Sequence, residues 1–309
     1  MDNFNSYNRF ENKTQGYGIG VSTLRFGKKW YILPKGKAIF KTYDGFAGQL
    51  KNIRIVNELV CSELCKQIDL DCATYEQASL YGQTGVVSYD IAKYDEKLID
   101  GEMLKKISGV NEKSSSISIY SKAIDNLKKK NIKIDKKNIL KELYKIALFD
   151  TLTFQTDRHD NNILFAVNEN ENSLKPTKLI DNEFAFLTLL LPQIQYASTF
   201  DNVLNTYVDY AKFNRKVFSV DGFKSYKKLV SGIVKLAKND EELKTILVST
   251  LTNINVEKAF ENVEEMGNKI SPDYKKYVSH LVDYSKQCFI DEIKNYKIKT
   301  EENKNKLEK

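Results

Sequence analysis

The chain has 309 residues, 41% of them apolar and 29% charged, ordinary for a folded soluble protein and enough for one large or two modest domains. Four cysteines at this length exclude a disulfide framework, and no apolar run approaches membrane-spanning length. The net charge of +7 comes from many lysines with acids interspersed, so neither a membrane span nor specific nucleic-acid binding is expected.

The densest basic run is Lys128-Lys129-Lys130, followed by Lys136-Lys137. It lacks the aromatic interleaving of an RNA-binding surface and reads as a solvated helix–loop–helix face. Cys61, Cys65 and Cys72 lie close together and Cys288 is far off. With two histidines in the whole chain and no second thiol pair at zinc spacing, buried free thiols in a reducing compartment are expected. The polar start at Met1 has no signal-peptide pattern, so a cytoplasmic location is expected, with export by another route left open.

Residues 1–15 form a polar lead-in. The run GYGIGVST that follows, with Gly18, Gly20 and Ser22, has the glycines and hydroxyls of a loop whose amides cover phosphate oxygens. A hinge or hairpin turn has the same composition. Phe26–Leu33 and Ala38–Tyr43 read as strands about the turn at Pro34, and Lys41 sits among apolar neighbours on the second. Asn52–Ile68 reads as a helix with Ile53, Val56, Val60 and Leu64 on one face. It offers Glu58 as a partner for Lys41, with Glu63 competing. A strand lysine paired to a helix glutamate is how kinases hold nucleotide phosphates.

Ala73–Gln77 and Thr84–Ile91 read as further strands. The second runs toward a hinge where the backbone of Val87 and Tyr89 would meet an adenine edge. From Leu98 the pattern turns helical, with Gly101–Ile107, Tyr120–Lys130 and Asn138–Gln155 as expected helices. Residues 201–296 are helical in pattern, and 297–309 lack apolar content and are expected to fray.

The long helix ending at Gln155 runs into Thr156-Asp157-Arg158-His159-Asp160-Asn161-Asn162, then the apolar triplet Ile163-Leu164-Phe165. After a Lys/Asn/Glu-rich excursion, Leu179-Ile180 delivers a carboxylate at Asp181. Phosphoryl transfer wants this arrangement. One carboxylate orients the attacking hydroxyl, while an amide oxygen and a second carboxylate hold magnesium on the nucleotide phosphates. The spacing from Asp157 to Asn162 is that of a kinase catalytic loop. Asp150, a carboxylate in an apolar stretch, is a candidate brace for the loop through backbone amides.

FDTLTFQTDRHDNNILF followed by LIDNEFAF resembles the catalytic core of HipA-like serine/threonine kinases, which share their fold with the phosphatidylinositol 3/4-kinases. The likeness spans roughly residues 16–190. It implies an α+β, two-lobed kinase-like fold, with a β-rich N-lobe over 1–90, a helical C-lobe over 91–296 and a tail over 297–309. It implies Asp157 as the catalytic acid–base residue, Asn162 and Asp181 as magnesium ligands, and Lys41 with Glu58 on ATP, beside Ile180. His159 either assists the transferring phosphate or is structural; Arg158 either neutralises charge or braces the loop. Ser22 or Thr23 is the nearest match to the serine such kinases autophosphorylate, but the surrounding S-G-x-Q-x-K pattern is absent. The implied partners are ATP, Mg²⁺ and a Ser/Thr-bearing protein. IDNEFAF also resembles the I-D-x-E segment of choline and aminoglycoside kinases, which makes Glu183 a secondary metal candidate. Those families place a histidine where this chain has Gln155. A pseudokinase scaffold is the reading from another class, and the intact Asp157, Asn162 and Asp181 set argues against it.

Overall fold

The structure, a computed structural model, describes residues 28–33, 36–43, 49–80, 83–93, 95–188, 218–221 and 225–307. The glycine-rich run with Gly18, Gly20, Ser22 and Thr23 lies outside these residues. Four strands form an antiparallel sheet in the order β1-β2-β4-β3: β1 (Lys28–Leu33), β2 (Gly36–Thr42), β3 (Tyr75–Leu80) and β4 (Gln83–Tyr89). Between β2 and β3 runs α1 (Gln49–Gln67). Its apolar positions Val56, Leu59, Val60 and Leu64 are all buried, the three-and-four spacing of a core-facing helix.

The second half of the chain holds more strand than its periodicity announces. Lys97–Asp100, expected to begin a helical region, is strand β5, and Asp100 then caps α2 (Gly101–Ser108) by accepting from Met103 N at 2.7 Å. The polar excursion before Asp181 is a hairpin of β7 (Leu164–Asn168) and β8 (Ser173–Pro176). With the two-residue β6 (Lys133–Ile134) they make a second sheet in the order β5-β7-β8-β6. Short strands paired on one face give too few alternations for a period-two signal to stand out.

α3 (Ile117–Lys128) and α4 (Lys136–Leu152) pack beside this sheet. Later in the chain come α5 (Tyr226–Lys238), α6 (Glu241–Asn253), α7 (Val256–Glu265) and α8 (Pro272–Leu307). α8 continues through most of the tail expected to fray. Val278, Leu281, Val282 and Phe289 nucleate it against the core, and adding residues to an existing helix costs far less than starting one. One continuous apolar cluster joins α1, α4, α5, α7 and α8, so the helix carrying Glu58 is fixed to the helical half of the molecule. The Tyr274 hydroxyl on α8 donates to Asn57 Oδ1 on α1 at 2.5 Å.

Candidate active site

Lys41 stands on β2 opposite Val86 of β4. The two strands approach closely because Gly85 has no side chain: a Cβ there would lie 2.2 Å from the Lys41 carbonyl oxygen. Three carboxylates enclose the ammonium. Glu58 and Glu183 each lie 2.7 Å away and Asp181 is in direct contact. Burial alone would lower the lysine; Asp181, Glu183 and Glu58 outweigh it and hold the ammonium above its ordinary pKa. Burial pushes Glu58 up, against the pull of Lys41. Glu63, the competing partner, instead pairs with Lys66 and accepts from Asn262 Nδ2 at 2.9 Å.

Arg54 of α1 supplies the second cation. It contacts Glu183 and lies over the rings of Tyr43 and Phe184, 4.5 Å and 4.4 Å from their centroids. Within this set, two cations face three carboxylates, leaving one negative charge in surplus. One oxygen each from Glu58, Asp181 and Glu183 lies within 4.8 Å of the others. Hard oxygens with surplus negative charge suit a magnesium ion, so the residues present fit that group.

Backbone geometry turns Asp181 into the cluster. Its φ of +62° is left-handed, a conformation aspartate tolerates better than most residues. Asp181 N donates to the Tyr75 hydroxyl at 3.1 Å, and the next amide, Asn182 N, donates to Glu58 Oε2 at 2.8 Å. Asn57 holds the following turn, donating from Nδ2 to the carbonyls of Glu183 and Ala185.

The loop from Thr156 to Asn162 is tied to this segment by Gln155, Thr156 and Arg158. Gln155 Oε1 accepts from Thr156 N and Asp157 N at 2.9 and 3.1 Å, while its Nε2 donates to the Asp181 carbonyl at 3.4 Å. Phe186 N donates to the Thr153 carbonyl at 2.6 Å, and Thr156 Oγ1 to the Phe184 carbonyl at 2.9 Å. Arg158 is fully buried. It donates to both carboxylate oxygens of Asp150, to Asn182 Oδ1 at 2.6 Å and to the Ile180 carbonyl. Arg158 thus braces the loop against the strap. Asp150 braces the loop through this guanidinium, not through backbone amides; burial raises its pKa and Arg158 opposes the rise.

Asn162 caps the loop differently. Its Nδ2 donates to the Asp157 carbonyl at 2.9 Å, which commits the amide nitrogen and leaves Oδ1 as the ligand-type atom. The carboxylates that converge with Asp181 are those of Glu58 and Glu183. His159 Nε2 lies 3.9 Å from Asp157 Oδ2. Asp160 accepts from the Tyr120 hydroxyl at 2.6 Å and contacts Lys105, anchoring the outer side of the loop to α2 and α3.

Of the expected hinge residues, Val87 is paired on both flanks, with Phe40 of β2 and Glu76 of β3. A residue inside a ladder has its backbone groups committed, so Val87 does not fit the adenine role. Tyr89 pairs with Ala38 and lies one residue past the last β3–β4 pair, Tyr75 with Ser88. Gln155 had one available signal: it is a polar residue between Phe154 and the loop that begins at Thr156.

No protein-family model matches the sequence, and no curated protein matches it. Solved structures do match. The proinflammatory kinase CtkA of Helicobacter pylori is similar at 15% identity and a TM-score of 0.65, over 89% of this chain and 95% of that one. HipA of a Shewanella oneidensis MR-1 toxin–antitoxin system, solved with HipB and operator DNA, is similar at 13% identity and a TM-score of 0.51, over 86% of this chain and 64% of that one. The chain therefore shares the α+β fold of HipA-like kinases.

Proposed function

We propose that the protein is an ATP- and Mg²⁺-dependent phosphotransferase acting on Ser/Thr hydroxyls of protein. The observation that carries the reading is the meeting of Lys41, Glu58 and Asp181, brought from strand, helix and strap to one buried point. Lys41 would steady the nucleotide phosphates, with Glu58 fixing the lysine. Asp181, Glu183 and the Asn162 amide oxygen are the residues that would hold magnesium. The metal supplies charge neutralisation at the phosphates when bound.

Asp157 would orient the incoming hydroxyl and take its proton as the new oxygen–phosphorus bond forms and the bond from that phosphorus to the bridging oxygen breaks, releasing ADP. Gln155 and Asn162 hold the Asp157 backbone from either side, so the carboxylate meets the hydroxyl without a search. His159 Nε2 lies 3.9 Å from Asp157 Oδ2, and this imidazole would either assist the transferring phosphate or serve the loop structurally. Ile180 and the backbone at Tyr89 would line the nucleotide.

A second reading, transfer to a lipid or small metabolite, draws on Glu183 standing beside Asp181, as the I-D-x-E resemblance implies. Labelled Mg-ATP incubated with whole lysate, then fractionated, separates the two. Label on protein, mapped to Ser or Thr, supports the kinase assignment; label confined to lipid or metabolite fractions overturns it. A thermal shift with Mg-ATP excludes a scaffold that binds no nucleotide.

A further inference from the structure

In the strap, residues 181–188, three non-glycine residues have left-handed backbone: Asp181 at a φ of +62°, and Phe186 and Leu187 both at +56°. Phe154, in the turn that leads to Asp157, shares that conformation at +48°. Phenylalanine and leucine have no short polar side chain to make a left-handed backbone favourable locally. Such residues persist only where their surroundings dictate the conformation. The strap therefore depends on what grips it. One grip comes from the turn after α4. Phe186 N donates to the Thr153 carbonyl at 2.6 Å and Leu187 N to the Phe154 carbonyl at 3.4 Å, so left-handed residues of the two segments are bonded to each other. This junction lies between Asp157 on one segment and Asp181 on the other.

The other grip comes from α8, which has no part in the chemistry above. The Tyr277 hydroxyl donates to the Phe186 carbonyl at 3.2 Å. One turn earlier, the Tyr274 hydroxyl donates to Asn57 Oδ1 at 2.5 Å. Asn57 Nδ2 in turn donates to the carbonyls of Glu183 and Ala185 at 3.0 and 3.1 Å and to Thr188 Oγ1 at 2.6 Å. With its amide oxygen held by Tyr274, Asn57 presents its NH₂ to the strap, so one α8 hydroxyl orients the side chain that binds three strap oxygens. The two tyrosine rings lie 6.1 Å apart, and Val278, Leu281 and Val282 are buried on the same helix. Both hydroxyls are thus carried by one element fixed in the core.

We propose that Tyr274 and Tyr277 are positioning residues through which α8 holds the strap, so that Asp181 keeps its spacing from Asp157. The consequence for catalysis rests on the phosphotransfer reading; the grip itself rests on the hydrogen bonds alone. Both tyrosines act through the strap and not on a reacting atom. A strap set slightly wrong still admits the nucleotide but misplaces the groups that meet in the transition state, so kcat falls while KM for Mg-ATP changes little.

Tyr274→Phe and Tyr277→Phe each delete one oxygen and keep the ring. Tyr144→Phe is the control, because its buried hydroxyl donates to the Ile233 carbonyl of α5 at 3.3 Å. Each full-length variant is read by urea unfolding, by hydrogen exchange at the hydrogen-bonded amides of 185–188, and by kcat and KM for Mg-ATP. The control and the α8 variants should lose similar stability. Exchange at 185–188 rises roughly fivefold in each α8 variant, the worth of one hydrogen bond, and kcat falls about tenfold. Tyr144→Phe keeps wild-type exchange in the strap and wild-type kcat. Unchanged strap exchange in both α8 variants overturns the proposal, as does faster exchange with wild-type kcat. So does a control that moves exchange and kcat as far as they do, since the effect would then be one of global stability. Should Tyr274→Phe fail to fold, Tyr277→Phe carries the comparison. Should the wild type transfer no phosphate, the phosphotransfer reading fails and the exchange comparison decides the grip of α8 by itself.

Discussion

The ammonium of Lys41 touches the carboxylate of Asp181, 140 residues away in sequence. That contact, with Glu58 and Glu183 around the same nitrogen, ties the first sheet to the strap after the second. Lys41→Met leaves two buried carboxylates, Glu58 and Glu183, and the half-buried Asp181 with one cation fewer, at a cost of roughly 3–5 kcal/mol. Glu58→Gln in the same chain recovers part of it, because one uncompensated charge disappears. Urea unfolding of the two single variants and the double measures this. Strictly additive losses would mean that the two side chains do not interact.

Arg158 carries a loss of stability rather than of chemistry. Arg158→Ala buries the Asp150 carboxylate without its partner and also frees Asn182, so a cost of about 3–5 kcal/mol is expected. Asp150→Asn in the Arg158→Ala background restores a substantial share. A double-mutant cycle by denaturant unfolding reads the coupling, and a value near zero would remove Arg158 from the bracing role.

Gly85 is where β2 and β4 pass closest at the lysine. Gly85→Ala forces the strands apart against backbone, not a flexible side chain, and costs about 1–3 kcal/mol. Because the displaced atom belongs to Lys41, Mg-ATP affinity falls with stability. Calorimetric titration beside thermal unfolding tests the pairing; weaker stability with wild-type affinity would separate Gly85 from the site.

Asp90, at the end of β4, is pushed up to about 6 by burial, against hydrogen bonds from Ala92 and Ile91 amides. The folded state keeps its proton in a window where the unfolded chain, with a pKa of about 3.9, has released it. This group therefore costs stability as pH rises from about 4 to about 6. Asp90→Asn keeps the acceptor oxygen and raises stability at pH 7 by ~1 kcal/mol or less, allowing for solvent screening. The gain shrinks toward pH 4. Unfolding curves at both pH values check this, and an equal gain at the two would contradict it.

The first sheet, α1 and the loop from Asp157 to Asn162 were legible because each has a local signature: alternating strands about a turn, an apolar helical face, and polar residues at fixed spacing. The choice of Glu58 over Glu63 was not. Both lie on α1, and only the packing of that helix against α7 turns Glu63 toward Lys66 and Asn262. Arg158 stayed open between neutralising charge and bracing the loop because its carboxylate partner, Asp150, lies inside a helix that reads as apolar. Gln155 was read as a departure from another family's histidine, and its hydrogen bonds give it a bridging task of its own. The second sheet was missed because strands of two to five residues carry almost no period.

The central claim is that Asp157 and Asp181 form one Mg²⁺-dependent phosphotransfer site. Transfer from labelled ATP by the purified protein, with and without Mg²⁺, is compared with that of Asp157→Ala and Asp181→Ala. Both variants should keep cooperative unfolding and lose transfer by a factor on the order of 10³ or more, the scale of removing a group that acts in the transition state. Wild-type transfer in either folded variant, or transfer by the wild type that persists in excess chelator, would contradict the account.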